Sequence, residues 1–97
     1  VMARSSKALM LYQLGYLDKA ESELRGIIRT SPMLADSRAA LTALLWHKGF
    51  LGEAESHWAA ACGLDNRYRD KDWLLKMRSW PSEPTEDLLA FLTLESP

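Results

Sequence analysis

The sequence predicts an all-α protein built from paired helices, and three observations carry that expectation. The stretch GYLDKAES at residues 15–22 returns as GFLGEAES at 49–56, with five of eight positions identical and an offset of 34 residues. A fixed period of about 20–50 residues marks a stacked repeat architecture. Apolar residues follow helical spacing along the chain. Finally, Gly15, Ser31-Pro32 and Gly49 stand where helices of ordinary length would stop.

Each element can be justified in turn. Residues 2–14 carry Met2, Ala8, Leu9, Leu11, Tyr12 and Leu14 and close at Gly15, which enters a left-handed cap without steric cost. Asp18 is then expected to cap a helix running to Thr30, with Ala20, Leu24, Ile27 and Ile28 on one face. Ser31-Pro32 ends it, because a residue before proline is pushed out of the helical region. A third helix over 35–48 carries Leu41, Leu44 and Leu45 and ends at Gly49. A fourth over 53–64 carries Ala54, Trp58, Ala61 and Cys62 and ends near Asp65-Asn66. A fifth, from about Asp70 to Ser79, places Trp73, Met77 and Trp80 on one stripe. The segment Trp80-Pro81-Ser82-Glu83-Pro84 breaks the chain, and residues 85–94 form a short last helix with Leu88, Phe91 and Leu92 on one side.

At 97 residues the chain forms one modest domain, with 47% apolar and 26% charged residues, a composition that suits a folded protein. A net charge of −1 argues against a general nucleic-acid surface, which shows a basic excess. The longest apolar runs are too short for a bilayer, so no direct membrane insertion is expected. A single cysteine, Cys62, excludes an intramolecular disulfide. The opening Val-Met-Ala reads as the start of a fragment, which leaves a targeting segment and preceding repeats open.

In this register the chain resembles the tetratricopeptide repeat family, a helix–turn–helix repeat of about 34 residues. Gly15, Ala20, Leu24, Ile27 and Pro32 match the turn and second helix of its pattern, and Gly49, Ala54, Trp58 and Ala61 match it again. The first helices match less well: Arg4 and Arg38 stand for the usual tryptophan, Lys7 for a leucine, and Ala8 and Thr42 for glycine. The resemblance implies repeat one over 1–34, repeat two over 35–68, and a capping helix and tail over 69–97. The tail, YRDKDWLLKMRSWPSEPTEDLLAFLTL, is similar to the ends of tetratricopeptide proteins from cyanobacteria and chloroplasts. That likeness implies a chloroplast or cyanobacterial setting and a helper role in thylakoid-complex biogenesis.

The resemblance also implies a concave face lined by the first helix of each repeat. Carried over by position, the partner-binding residues are Ser5, Leu9, Tyr12, Gln13, Ala39, Ala43, Trp46, His47, Trp73 and Met77. Family members that hold acidic chaperone tails do so with lysine, arginine and asparagine on these slots, and here the slots are serine, leucine and alanine. No acidic-tail partner is therefore expected. An alanine floor rimmed by Leu9, Tyr12, Trp46, Trp73 and Met77 instead suits a protein or peptide presenting an apolar or amphipathic helix.

The competing readings are structural. Cys62 faces the core as inert packing, Trp46 serves core or cap as readily as a ligand, and His47 at a helix end suits the helix dipole. The basic run Arg67, Arg69, Lys71, Lys76 and Arg78, broken by Asp70 and Asp72, reads as a solvated face answered by the acidic tail. His57 and Cys62 are five apart and make no catalytic pair, so no catalytic residue, metal or cofactor is expected. Two functions follow. One is an interaction module, scaffold or assembly helper that binds a partner helix. The other is the structural C-terminal cap of a longer array. The first expects Leu88, Phe91 and Leu92 to dock on the fifth helix and on the second helix of repeat two, leaving Leu9, Tyr12 and Trp46 accessible.

Overall fold

The computed structural model describes residues 2–95, with side chains described from Arg4 to Leu94. It is all-helical among those residues. In order come α1 (Met2–Gln13), α2 (Leu17–Thr30), α3 (Ala35–Lys48) and α4 (Leu51–Leu64), then a 3-10 turn (Asn66–Arg69), a short helical segment over 71–77, and α5 (Ser82–Glu95). Met2, in the first helix, and the acidic Glu95 lie outside the residues whose side chains are described.

The two octets build one turn twice. Gly15 and Gly49 both sit at φ 90°, the left-handed region that glycine reaches without a Cβ clash. The Gly15 amide donates to the Tyr12 carbonyl at 3.0 Å and the Tyr16 amide to Leu11 at 2.9 Å. At the second copy the Gly49 amide donates to Trp46 at 3.0 Å and the Phe50 amide to Leu45 at 2.8 Å. These bonds satisfy carbonyls that the helix end would otherwise leave unpaired. Asp18 is not the expected cap: α2 starts one residue earlier, no side chain caps it, and Asp18 instead meets Lys48 Nζ at 2.6 Å.

Packing follows the small residues. Ala20 and Ala54 are fully buried where α2 and α4 leave their turns, and Leu24, Trp58, Ile27 and Ala61 fill the space beyond. Helix α3 lies at the centre, buried from Ala39 through Leu45, between α2 and α4 with α5 across it. Within its first turn Ser37 is fully buried and its Oγ has no hydrogen-bond partner. A buried hydroxyl without a partner costs about 1–3 kcal/mol. Ser37→Ala is therefore expected to raise stability by about 1 kcal/mol, read as a higher urea midpoint at an unchanged m-value. A loss of similar size would show that the hydroxyl has a partner.

Two sequence expectations for the second half need correction. The fifth helix is not a regular α-helix from Asp70 to Ser79: it is short, and Trp73–Met77 winds as a π-turn closed by the Arg78 amide on the Trp73 carbonyl at 3.1 Å. The wider turn breaks the expected stripe. Leu74 points inward, Trp73 is half-buried, and Met77 is 70% exposed. The last helix starts at Ser82, not at residue 85, so Pro84 lies inside its first turn. Proline is tolerated there because the amide it lacks would have no partner within the helix.

Candidate functional site

The face formed by α1 and α3 is where the sequence-derived binding residues gather, and α5 lies on it. Helix α5 packs chiefly on α3 and also on α1. The expected seat, on the fifth helix and the second helix of repeat two, is thus corrected, although Phe91 does reach the Trp58 ring edge-on at 6.3 Å. Leu9 and Tyr12, expected to be open to a partner, are buried, and Trp46 is half-buried against the core. The physical reason is the floor. Ala39 and Ala43 are fully buried and small enough to let a helix approach closely, and Leu9 is buried in the same cluster.

Polar contacts fix the register of α5. Tyr12 Oη donates to Asp87 Oδ2 at 2.5 Å, and His47 Nδ1 meets the same oxygen at 3.0 Å. Burial raises the Tyr12 pKa and the bond to Asp87 adds to the effect, so the phenol stays protonated and remains a donor. Gln13 serves the start of the helix: its Oε1 accepts from the Glu83 amide at 2.8 Å and its Nε2 donates to Ser82 Oγ at 3.2 Å. One of the orphan amides of α5 is thus capped by a side chain from another helix. His47, read from sequence as a local dipole partner, instead joins α3 to α5.

The approach to α5 is organised by Asp36, which is only 2% exposed. Its carboxylate accepts from the Ser5 hydroxyl, from Tyr68 Oη at 2.9 Å, from Trp80 Nε1 at 3.0 Å and from Arg78 Nε at 3.3 Å. Ser5 therefore serves this buried cluster and does not face a groove. Tyr68 is held neutral by burial, with Asp36 pushing in the same direction. Trp73 packs edge-on to Tyr68 at 4.8 Å and lies under the Arg67 guanidinium. Arg67 is clamped by Asp65, whose pKa it lowers to about 2. Of the binding residues read from the sequence, Leu9, Tyr12, Gln13, Ala39, Ala43 and His47 come together, whereas Ser5 and Trp73 belong to the Asp36 side. Asp36 falls on an inward slot in the carried-over register but was not singled out as a binding residue, and Asp87 was read only as part of the acidic tail; nothing in their spacing marks either as a hub.

The basic run is largely engaged. Besides Arg67 and Arg78, Lys71 reaches Glu86 at 3.6 Å and Arg69 lies over Trp58 with a nitrogen 3.3 Å from Cys62 Sγ. His57 sits apart from Cys62, beside Arg38 at 3.5 Å and Glu53 at 3.9 Å. Burial lowers the His57 pKa below its ordinary 6.5, with Arg38 and Arg25 lowering it further and Glu53 opposing. The folded state thus binds this proton less readily than the unfolded chain. Its contribution to stability is full above about pH 6.5, falls as the pH drops below that, and levels off beneath the folded pKa. Urea melts between about pH 7.5 and 5.5 should show this loss, and His57→Gln should flatten it. The carboxylates of Asp18, Glu21 and Glu23, held low mainly by Lys48 and Lys7, lose their contribution only in a separate window below about pH 4.5.

Comparison with protein families, with curated proteins and with solved structures finds no match to this chain. Among the described residues, no helix is long and apolar enough to cross a membrane.

Proposed function

We propose that this chain is part of a tetratricopeptide-like interaction scaffold, and that it forms a capped end whose concave face is closed by its own last helix. The observation that carries the reading is the seat of α5, which packs on α3 and α1 with Leu88 and Phe91 fully buried and Asp87 held by Tyr12 and His47. A stretch that would otherwise hold a partner's apolar helix is covered. Support for a longer array comes from the other side of α1. Met10 is 51% exposed, with Leu11 half-buried beside it. Helix pairs in stacked arrays bury such faces against a neighbouring pair.

The reading is tested by titrating apolar amphipathic peptides, and an acidic-tail peptide as control, into two proteins: the intact chain and a Phe91→Ala variant that loosens α5. The intact chain should bind the apolar peptides weakly and the acidic tail not at all by calorimetry. Loosening α5 should strengthen apolar-peptide binding at least about tenfold, because a competent state that is seldom populated lowers apparent affinity by its population. Equal affinity for both proteins would remove the α1–α3 face from the binding function. Micromolar binding of the acidic tail, abolished by amidating its terminus, would mean that the groove was wrongly drawn.

A further inference from the structure

We propose that the α1–α3 face receives a partner's amphipathic helix bearing a carboxylate one residue ahead of an apolar i, i+3 pair, and that this helix first engages the open cleft beside the start of α5. The inference rests on the closed-face reading above and names the ligand for that face.

The chemistry of the ligand is read from its resident. Asp87 supplies the carboxylate, and Leu88 and Phe91 supply the apolar pair. The face contributes a neutral phenol and an imidazole that converge on one oxygen of Asp87, a glutamine that serves the helix start, and an alanine floor. None of these contacts depends on the peptide bond joining α5 to the rest of the chain. A helix with the same pattern, presented from another molecule, would meet the same groups.

What would let such a helix compete is a place that α5 leaves unfilled. A cleft of about 250 Å³ opens between Tyr12, Gln13, Leu14, Leu17, His47 and Glu83. Helix α5 cannot extend into it, because the chain turns at Trp80-Pro81 and the Trp80 indole is held by Asp36. Leu14 stands exposed at this rim. A helix in trans has no such turn, so it can continue by one more turn and cover Leu14 and Leu17. It must offset the high effective concentration of a tethered segment, millimolar for a short link, and the added apolar contact is the means.

The test uses the full chain and two labelled peptides. One copies residues 82–95. The other adds an N-terminal helical turn with two leucines and has alanine in place of Pro84, so that the helix runs on unbroken. Anisotropy should show the extended peptide binding at least tenfold tighter than the copy. Placing asparagine at its Asp87-equivalent position should cost about tenfold, as expected for losing a charge-assisted hydrogen bond. Hydrogen exchange at amides 86–94 should quicken as the extended peptide saturates the protein, because α5 has been displaced. An extended peptide that binds no better than the copy, or that binds while amides 86–94 stay protected, overturns the inference. So would a concentration-dependent dimer that exchanges its α5 helices in preference to binding either peptide, since the face would then belong to a second copy. Amides 86–94 already unprotected before any peptide is added would undo the closed-face reading itself.

Discussion

Replacing Asp36 with alanine is expected to lower the unfolding free energy by about 3–5 kcal/mol, the range found when one partner of a buried, hydrogen-bonded charge is removed. The carboxylate collects donors from four separate places: Ser5 on α1, Tyr68 on the 3-10 turn, Arg78 after the π-turn, and Trp80 at the entry to α5. Without it, the Ser5, Tyr68 and Trp80 donors stay buried with no acceptor at that point, and each such group carries its own desolvation cost. Asp36→Asn keeps one carbonyl oxygen and most of the volume, so it should cost markedly less than alanine. Urea unfolding followed by far-UV dichroism measures both variants. If Asp36→Ala costs less than about 1 kcal/mol, the four elements are not joined through this group.

Phe91→Ala should cost a comparable amount, about 3–5 kcal/mol, as for other fully buried aromatic side chains cut back in a core. Phe91 has no exposed surface and meets Trp58 edge-on, so the deletion leaves a cavity between α4 and α5 and removes the ring contact. The control is three residues on. Leu94 is 65% exposed, and Leu94→Ala should stay within about 0.5 kcal/mol of the parent. The contrast tests the rotation of α5 as well as its burial. Equal losses at the two positions would mean that the helix lies with a different face against α3.

How far the sequence reaches can be judged from particular residues. The first four helices were legible because their ends are local events: Gly15 and Gly49 take the left-handed conformation and Pro32 follows a helix end, whatever the rest of the molecule does. Pro84 misled for a related reason. Proline breaks a helix interior but suits a first turn, and sequence alone did not say on which side of it the helix begins. The π-turn over Trp73–Met77 was invisible, since one extra residue in a turn leaves the composition of the stripe unchanged while moving Met77 out to solvent. The seat of α5 was hardest. The stripe of Leu88, Phe91 and Leu92 says that something must cover it, but an apolar surface has no direction, and two neighbouring surfaces could have served. The alanine floor lets α5 come close on one of them, and Tyr12, His47 and Asp36, polar groups far from α5 in sequence, hold it there. An aspartate in a first turn reads as an ordinary helix-dipole acid until its partners are known.

The bond between Tyr12 and Asp87 joins residues 75 apart, and α5 follows the first four helices in the chain. During synthesis, at about 5–20 residues per second, everything needed for the first four helices is made before α5 exists. For that interval Leu9, Ala39 and Ala43 are without their cover, and closing so long a loop comes late because its entropy must be met before the contact forms. A nascent or prematurely terminated chain would therefore present the same apolar strip that the finished molecule conceals, and such strips invite aggregation. Synthesis of α5 is thus the event that covers this surface.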